Sequence, residues 1–481
     1  MLMKQTLLSC TLLAALCVQA APADQNWGQW RGPSANGVAP AGNPPTEWSE
    51  TKNVKWKIAI PGEGNATPIV WNNLVFVQTA VPVAKKPEAR LNLDLAPQVA
   101  GLAQQQPPAG GPGGQPGGPG GQGGRRGGGG GGRGGFGGGG APTTPFQFTL
   151  LAVDRATGKI AWQKMLREQF PHEGHHGDGS FASGSPVTDG EHLIAYFGSH
   201  GIYAMDMTGN VKWQKDLGDM RTRASFGEGS SPALHGNTLV VNWDHEGEDF
   251  IVAFNKTTGE ELWRQARNED TTWSTPLIVE HGGQAQVIVN ASRKTRSYDL
   301  KTGKELWSVG PLTANVIPSA VAANGVVYSM SGFRGAALFA VKLGKTGDLT
   351  GTDSILWSRA KDTPYVPSPL LYDDRLYFFK GNEATLTVLN TKDGTALVEA
   401  ERLEGLRGVY ASPVGAAGRV YLLGRDGGAL VLKKGDKAEV LATNRLEDRF
   451  DASPAVVGNQ IFLRGKKNLY CIAPTERADL R

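Results

Sequence analysis

Short apolar stretches alternate with polar turns over most of the chain. Four segments share one pattern, in which an apolar strand ends at Asp or Asn, a Thr-Gly turn follows, and the next strand carries a tryptophan. These segments are residues 152–162, 204–213, 253–263 and 297–307, and a looser fifth runs from 340 to 357. Their tryptophans recur every 44 to 51 residues, a period that indicates a repeat architecture.

A proline marks the start of each repeat, in most cases directly after Ser or Thr. The eight marks are Pro68, Pro186, Pro232, Pro276, Pro318, Pro369, Pro413 and Pro454. Each is followed by a short apolar strand, a turn rich in Gly, Asn or Asp, and a second strand. Short strands joined by such turns indicate antiparallel sheet, and four of them at this period form one propeller blade. The pattern therefore predicts an all-β fold, an eight-bladed β-propeller of four-stranded antiparallel blades.

The last blade lacks its fourth strand, because little of the chain follows the apolar residues 469–472. Residues 53–57 include Trp56, match the missing tryptophan strand and precede the first blade. We therefore expect this N-terminal strand to close the ring and to leave no open sheet edge. The predicted propeller spans 53–474, between an N-terminal extension at 21–52 and a tail at 475–481.

The repeated residues have structural roles in this interpretation. Glycine in the Thr-Gly turn supplies a positive φ, the Asp side chain accepts hydrogen bonds from turn amides, and the tryptophan fills the wedge between blades. The predicted scaffold positions are Trp56, Asp154, Gly158, Trp162, Asp206, Gly209, Trp213, Gly259, Trp263, Asp299, Gly303, Trp307 and Trp357.

The phrase Ala-x-Asp-x-x-Thr-Gly-x-x-x-Trp resembles the repeat of the quinoprotein, or PQQ-like, propellers. That group includes PQQ-dependent alcohol dehydrogenases and the outer-membrane assembly scaffold BamB. Residues 27–37, which contain Trp27, Trp30 and Arg31, resemble the opening of secreted PQQ-binding-like repeat proteins. The resemblance covers about residues 27–79 and 146–474 and implies the fold. It defines no activity, since one propeller supports many functions.

The first 20 residues have the organisation of a secretory signal peptide. Lys4 provides the positive charge, residues 7–18 the apolar stretch, and Ala20 the small residue at the cleavage site. That stretch is too short to span a bilayer, and no later segment is apolar over a sufficient length. We expect a periplasmic or secreted protein, soluble rather than lipid-anchored, in which Cys471 is the cysteine that remains after cleavage.

A glycine tract interrupts the first blade. Between residues 110 and 140, 22 of 31 residues are glycine, and three arginines lie among them. Such a composition cannot bury enough apolar surface to offset its chain entropy, so we predict a disordered insertion at residues 82–145. The formal net charge is +4, and the remainder of the chain is therefore close to neutral, which argues against a nucleic-acid partner.

Departures from the repeat collect on one face of the predicted propeller. The loops before each first strand and the loops between second and third strands open on this face, whereas the Thr-Gly turns lie on the other. The polar residues predicted to converge at the mouth of the central funnel are His175, His176, Asp178, Arg223, Glu228, Asp244, His245 and Arg293. They form the candidate site for an ion or for a charged group of a partner.

Several chemistries stay open for these loops. The histidines of residues 171–178 could bind a transition metal together with His200 or His245, form an acid–base pair with a carboxylate, or form a solvated polar loop. Residues 243–249 contain four carboxylates and could bind Ca²⁺, although the alternating order of ligands is missing. Trp243 and Trp273, interpreted as exposed, suit stacking against sugars.

The resemblance to quinoprotein dehydrogenases implies PQQ, a calcium ion held by Glu and Asn, a catalytic Asp and an adjacent pair of cysteines. This sequence has no such pair, and neither the calcium ligands nor the base can be assigned to positions. PQQ or a divalent metal stays open as a cofactor, and no catalytic residue is assigned.

The leading hypothesis is an exported, non-catalytic and monomeric scaffold of the cell envelope that binds a protein or another envelope component. One alternative is an oxidoreductase that uses PQQ or a metal in the funnel. The other is a module that binds carbohydrate or envelope polymer. The alternatives differ in what the funnel holds, so the arrangement of its side chains distinguishes them.

Overall fold

The eight predicted blades are present, each a four-stranded antiparallel sheet. The structure is a computed structural model that describes residues 26–84 and 137–474. The first strand of each blade is its innermost strand, and that of blade 1 lies beside those of blades 2 and 8. The sheets therefore form a closed ring, the fold that the repeat predicts.

The strands of each blade follow one another from the centre outwards. Blades 1 to 4 contain Ile69–Trp71, Leu74–Pro82, Phe146–Asp154 and Ile160–Gln169; Val187–Thr188, Leu193–Tyr196, Ile202–Met205 and Val211–Lys215; Ala233–His235, Thr238–Trp243, Phe250–Asn255 and Glu261–Ala266; and Leu277–His281, Gln284–Val289, Thr295–Asp299 and Glu305–Val309. Blades 5 to 8 contain Val321–Ala323, Val326–Ser331, Ala337–Lys342 and Ile355–Arg359; Leu370–Tyr372, Arg375–Phe379, Thr385–Asn390 and Ala396–Arg402; Val414–Ala416, Arg419–Leu423, Gly428–Lys433 and Val440–Arg445; and Ala455–Val457, Gln460–Arg464, Asn468–Ile472 and Val54–Ala59.

Four short elements lie outside this plan. Val38–Ala39 pairs in parallel with the innermost strand of blade 7, and Gly347–Asp348 pairs in parallel with the outermost strand of blade 4. Gly198–His200 and Arg223–Ser225 form single 3-10 turns. Both turns lie in loops on the face where the repeat is broken, so that face differs most from the regular pattern.

The N-terminal strand closes the ring, which confirms the prediction. Val54–Ala59 pairs antiparallel with Asn468–Ile472, and Trp56 lies opposite Cys471. The Nε1 of Trp56 donates a hydrogen bond of 3.0 Å to the carbonyl oxygen of Arg155 in blade 1. One strand from the start of the chain therefore completes the last blade and also joins it to the first.

Tryptophans of the fourth strands pack over the glycine of the turn between the third and fourth strands of the next blade. A Cβ atom on Gly303 would lie 2.6 Å from the Trp263 ring, and Gly303 has a φ of +73°. The same pairing joins five tryptophans to five turns, which are Trp56 to Gly158, Trp162 to Gly209, Trp213 to Gly259, Trp263 to Gly303 and Trp357 to Gly394. These turns need glycine for their backbone conformation and for the close approach of the ring.

We expect Gly303→Ala to lower the free energy of unfolding by about 2–4 kcal/mol, because a side chain there is strained by the positive φ and also overlaps the Trp263 ring. Gly283, in the same blade, is a matched control, since its φ is +78° and a Cβ atom at that position would have no neighbour within 4 Å. Gly283→Ala should cost only the conformational part, about 1 kcal/mol. Urea unfolding measures both, and equal losses would show that the ring contact contributes nothing.

Trp307 departs from this pairing, because the connection between the third and fourth strands of blade 5 is longer than in the blades that carry these turns. Its Nε1 donates a hydrogen bond of 2.8 Å to Oε1 of Gln286 in its own blade. Gly347–Asp348, which belongs to the longer connection, pairs with Trp307 and Ser308. The looser fifth repeat in the sequence is therefore a local rearrangement of the same contact.

Side-chain hydroxyls and backbone amides link the blades around the axis. The amide of Thr67 in blade 1 donates to the Ser185 hydroxyl of blade 2 at 3.0 Å. Seven such bonds of 2.8 to 3.0 Å join blades 1 to 8 in succession, through the hydroxyls of Ser185, Ser231, Thr275, Ser319, Ser368, Ser412 and Ser453. We call these seven side chains the hydroxyl ring.

The hydroxyl ring corrects one of the eight predicted marks. In blade 5 the ring position is Ser319, not the residue before Pro318, and Ala320 stands where the other blades have proline. Pro318 lies one residue earlier, where its carbonyl oxygen accepts a hydrogen bond of 3.0 Å from Asn290. The prediction used the proline to locate the start of the blade, and this placed the mark one residue too early. The hydrogen bond between neighbouring blades depends instead on the Ser319 hydroxyl.

Residues 26–39 cross the end of the ring that carries the turns between first and second strands. Trp27 is fully buried, and backbone hydrogen bonds attach Trp27 and Gly28 to blades 1 and 2. Gly37 and Val38–Ala39 attach to blade 7. The predicted extension is thus packed against blades on both sides of the axis and closes this end of the central channel.

Arg31 fixes the middle of this segment. Its guanidinium is 1% exposed and donates to the carbonyl oxygens of Pro413 at 2.7 Å and Asn36 at 3.0 Å, and also to that of Pro369. Burial lowers the pKa of Arg31 to about 9. One side chain from the start of the chain therefore binds blades 6 and 7 together beneath the cavity.

Three predictions concern segments that are partly or wholly outside the described residues. Residues 85–136 of the predicted insertion, the signal peptide at 1–20 and the tail at 475–481 lie outside them. The end of the insertion is described, and Gly138 and Gly139 donate backbone hydrogen bonds to the carbonyl oxygens of Ala224 and His175. Residues 137–145 are therefore attached to the body. No helix in the described part of the chain is long and apolar enough to cross a membrane.

Candidate functional site

A cavity of about 490 Å³ lies on the axis of the ring. Six members of the hydroxyl ring line its wall, and Trp30 of the N-terminal segment contributes to its floor. At the other end it is bordered by His176, Asp178 and Phe226, from the loops that precede the first strands of blades 2 and 3. The cavity is therefore closed at one end and opens on the face where the sequence departs from the repeat.

Aromatic side chains form two platforms in the wall. Phe226 and Trp273 lie 6.4 Å apart, and Nε1 of Trp273 donates a hydrogen bond of 2.6 Å to the Gly227 carbonyl, which fixes its ring. Phe333 and Tyr365, from blade 5 and the loop after it, stack at 4.6 Å. All four rings are half-buried, so part of each remains available to a molecule in the cavity.

Asp178 ties the loop before blade 2 to the loops of blades 7 and 8. Its Oδ1 accepts hydrogen bonds of 2.5 Å from Arg425 and from Arg449, and its Oδ2 accepts one of 2.9 Å from the Tyr410 hydroxyl. Arg425 also lies 3.6 Å above the centre of the Tyr410 ring and donates to Asp451 at 2.6 Å. The carboxylates and arginines at this part of the mouth neutralise one another and hold the loops together.

Glu228 is half-buried in the wall, and its carboxyl group is directed towards the 3-10 turn Gly198–His200. It accepts hydrogen bonds of 2.8 Å from the Ser199 amide and of 2.5 Å from the Ser199 hydroxyl. Burial raises the pKa of Glu228 to about 7. Burial also lowers the pKa of His200 to about 3, so this histidine is neutral at physiological pH. Glu228 therefore stabilises the turn beside the cavity and changes its charge near neutral pH.

As the pH rises from 4.5 to 7, we expect the free energy of unfolding to fall by up to about 3 kcal/mol because of the raised pKa of Glu228. In this range the folded protein keeps a proton that the unfolded chain, with a carboxyl pKa of 4.5, has already released. Folding therefore becomes less favourable as the pH rises. Glu228→Gln should remove this slope, and urea unfolding across the range measures the difference between the variant and the wild type. If the free energy of unfolding has the same pH dependence in the wild type and in Glu228→Gln, the pKa of Glu228 is not raised.

The structure brings three of the eight predicted site residues to the cavity wall, namely His176, Asp178 and Glu228. His175 lies behind them, with its Nε2 3.0 Å from Oε1 of Glu63. Burial opposes protonation of His175, but the hydrogen bond to Glu63 outweighs it and raises the histidine pKa. The loop before blade 2 therefore reaches the funnel as predicted, although only part of its side chains face the cavity.

Asp244 and His245 do not line the cavity, which corrects the prediction for this loop. Asp244 forms a fully buried ion pair with Arg267, at 2.6 Å between Oδ1 and Nε. His245 is 8% exposed and bonded through both ring nitrogens, to the Arg221 amide and to the Glu248 carbonyl. Both side chains have complete sets of protein partners, so they stabilise the loop.

Arg223 and Arg293 also lie away from the cavity wall. Each approaches a different oxygen of Asp270, at 3.6 Å and 3.5 Å, and both are substantially exposed. At this exposure such pairs contribute little to stability. The sequence pattern placed them on the correct face but could not indicate their distance from the axis.

The expected exposure of Trp243 is wrong, and residues 243–249 do not form the arrangement of ligands that the open Ca²⁺ alternative requires. Trp243 is 1% exposed and stacks on Phe250 at 5.9 Å, while Asp244 is occupied by Arg267. Within residues 26–84 and 137–474, no group of three or more His, Cys, Asp or Glu side chains is arranged to hold a metal ion. In the loop before blade 2, His172 lies beside His200, with 6.1 Å between the ring centres, whereas His175 and His176 contact Phe181 and Phe226.

Several residues of the cavity were not among the predicted ones. Trp30 lies in a segment whose path across the ring has no signal in the repeat. Tyr410 and Asn315 stand in loops without charged clusters, and their spacing in the sequence carries no information about the axis. The signal that could have found them is the repeat itself, because every loop that directly precedes a hydroxyl-ring residue borders the cavity.

Comparisons with known proteins agree with the fold. A family described as "Outer membrane protein assembly factor BamB" matches residues 147–315 and 295–480. No curated protein sequence matches the chain. Quinohemoprotein alcohol dehydrogenase from Comamonas testosteroni is 10% identical, with a TM-score of 0.57 over 94% of this chain and 81% of that one.

Two further solved structures are similar over a smaller part of this chain. BamB from Moraxella catarrhalis is 13% identical, with a TM-score of 0.47 over 68% of this chain and 93% of that one. The computationally designed protein Ika8 is 16% identical, with a TM-score of 0.45 over 69% and 92% of the two chains. At such identities a structural similarity concerns the fold, and the chemistry of the site has to be argued from this chain's own residues.

The residues of the cavity do not fit the PQQ site that the resemblance implies. No two cysteines are adjacent in the sequence, and Cys471 is buried in blade 8, where burial raises its thiol pKa to about 12. In the described part of the chain, no Lys or Arg side chain lines the cavity to meet the carboxylates of such a cofactor. We therefore derive no chemical step through PQQ or through a metal.

Proposed function

Because the chain belongs to the family of the outer membrane protein assembly factor BamB, we propose that it is an exported, non-catalytic binding module of the cell envelope. Its partner, a protein or another envelope component, inserts one group into the central cavity. Export rests on the predicted signal peptide at residues 1–20. The observation that carries the proposal is the cavity itself, which is closed at one end by Trp30 and bordered by the irregular loops.

Hydrogen bonds join the blades and loops that form the wall of the cavity, as suits a preformed binding site. The hydroxyl ring links all eight blades, and Arg31 holds the floor to blades 6 and 7. At the mouth, Asp178 joins loops that are 247 and 271 residues apart in the chain. A ligand therefore meets side chains that are already ordered, and little conformational entropy is lost on binding.

The acidic groups around the cavity support binding rather than catalysis. Asp178 and Asp451 are held by Arg425 and Arg449, and Glu228 is held by Ser199. General acid–base catalysis needs a carboxyl group within hydrogen-bonding distance of the substrate. Each of these carboxylates instead uses its oxygens to stabilise loops of the mouth.

The proposal is tested by native mass spectrometry of the mature protein purified from the envelope fraction of its host. A cavity-filling variant, Val366→Trp, adds a large side chain to the wall, where Val366 is half-buried. Leu441→Trp is the matched control, because Leu441 is 44% exposed on the outermost strand of blade 7. We expect a ligand or partner to copurify with the wild type and with Leu441→Trp, and to be lost from Val366→Trp.

The proposal is wrong if the same ligand or partner copurifies with all three proteins, since binding would then not use the cavity. It is also wrong if nothing copurifies with any of them when the envelope is solubilised under conditions that keep the protein folded. Circular dichroism and the unfolding midpoint establish that Val366→Trp is folded before its binding is compared.

A further inference from the structure

The hydroxyl ring presents hydrogen-bond donors to the cavity. Each of its oxygens accepts an amide hydrogen from the preceding blade, so the hydroxyl hydrogen is left for another acceptor. Within the described residues no protein acceptor receives any of these hydrogens, and six of the seven hydroxyls line the cavity. A ligand rich in oxygen acceptors around its circumference satisfies such a ring.

Asn315 adds an unsatisfied acceptor at the same cavity. It is 4% exposed, lines the wall, and its Oδ1 has no hydrogen-bond partner among the described residues. A buried polar atom of this kind costs free energy unless a ligand or water binds to it. A ligand that fits the cavity therefore accepts hydrogen bonds from the hydroxyl ring and donates one to Asn315. A hydroxyl group can do both.

The aromatic platforms select the shape of the ligand. Trp273 with Phe226, and Tyr365 with Phe333, offer half-buried ring faces beside the hydroxyls. A sugar ring has an apolar C–H face that packs on such platforms and hydroxyl groups at its edge that meet the polar wall. The cavity combines both kinds of surface, as pockets with few precisely oriented polar groups do.

The charges of the wall select a neutral ligand. The side chains that line it include the carboxyl groups of Asp178, Glu228 and Asp451, and no Lys or Arg side chain from the described residues. An anionic ligand would have no free cation to bind there. A cationic ligand would have no free carboxylate, since Asp178 and Asp451 are paired with Arg425 and Glu228 is bonded to Ser199.

Because the floor of the cavity is closed, a polymeric ligand can enter it only with one of its ends. Trp30 lies at the base of the cavity, and the segment from Trp27 to Val38–Ala39 spans the ring beneath it. A polymer cannot pass through the ring, so only a terminal unit can enter. From these observations we propose that the cavity binds the terminal sugar units of a neutral carbohydrate chain; this rests on the function proposed above and names the ligand class of the same site.

The inference is tested by calorimetric titration of the mature protein with linear and cyclic neutral sugars. The linear probes are maltohexaose and a linear oligomer of N-acetylglucosamine, and the cyclic probe is α-cyclodextrin, which contains the units of maltohexaose but has no chain end. A uronic-acid oligomer is the charged comparison. We expect at least one linear neutral oligomer to bind, and the cyclic and charged oligomers not to bind.

Two variants connect this binding to the cavity. Trp273→Leu should weaken binding about ten-fold, because it removes the aromatic face on which a sugar ring packs. Val366→Trp should abolish binding, and Leu441→Trp should leave it unchanged. Thermal unfolding of each variant confirms that it is folded before the titration.

Each outcome has a defined meaning. If neither linear neutral oligomer binds, while a native ligand is still lost from Val366→Trp, the carbohydrate inference is wrong and the proposed function stands. Equal binding of maltohexaose and α-cyclodextrin overturns the claim that a chain end enters the cavity. If sugars bind to Val366→Trp as they do to the wild type, the cavity is not their site, and the inference is wrong.

Discussion

A variant that lacks residues 1–57 should lose cooperative unfolding. The deletion removes most of Val54–Ala59, so the edge of Asn468–Ile472 becomes unpaired, and Trp56 no longer fills the space over Gly158. Loss of a buried tryptophan alone typically costs about 3–5 kcal/mol, and an open strand edge also promotes association. Calorimetry and size-exclusion chromatography measure the two effects.

The matched control lacks residues 1–52 and keeps the closing strand. This control still loses Arg31 and Trp27, so it should be less stable than the full mature protein, but it should unfold in one cooperative transition because blade 8 remains complete. An unchanged melting temperature after deletion of residues 1–57 would mean that the ring does not depend on the N-terminal strand.

Arg267→Met should lower the free energy of unfolding by about 3–5 kcal/mol. Both partners of the Arg267–Asp244 ion pair have fully buried side chains, and Asp244 also accepts a hydrogen bond of 2.6 Å from the Thr272 hydroxyl. Arg267 donates a further hydrogen bond of 2.7 Å to the Tyr298 hydroxyl. Removal of the guanidinium leaves a carboxylate in the interior without a cation, which is the main source of the cost. Urea unfolding measures the loss.

The double variant Asp244→Leu with Arg267→Met separates the cost of an unpaired charge from the cost of lost packing. With both charges removed, we expect the double variant to recover most of the stability lost by Arg267→Met. If the losses of the two single substitutions simply add in the double variant, the interaction between the two side chains contributes nothing. Binding by the cavity should be unaffected, because neither residue lines it.

The propeller could be predicted because its stabilising contacts repeat along the chain. A tryptophan of one blade packs on a glycine of the next, as Trp263 does on Gly303, and both are part of the same short phrase. The closing strand at Trp56 was found by the same rule, since it is the missing copy of that phrase. Where the contact was rearranged, as at Trp307, the phrase of the next blade at residues 340–357 was also looser, so the deviation was visible in the sequence.

The candidate site could be predicted only as far as the face of the propeller. Topology assigned His176, Asp178 and Glu228 to the loops that border the cavity, and there the structure agrees. The same reasoning also selected Asp244, which is instead buried against Arg267. The sequence of an irregular loop does not show whether a charged side chain faces the axis or forms an ion pair within its own blade.

The sequence by itself determined the fold class, the number of blades and the strand that closes the ring, because these follow from contacts between neighbouring copies of one phrase. Only the tertiary structure decided that the channel is closed at one end and that the mouth is held by Asp178. Those features depend on Arg31 bonding to Pro413 and on Asp178 bonding to Arg449, across 382 and 271 residues. Each of these contacts occurs only once and joins segments that do not share the repeated phrase. The periodicity of the sequence therefore cannot predict them.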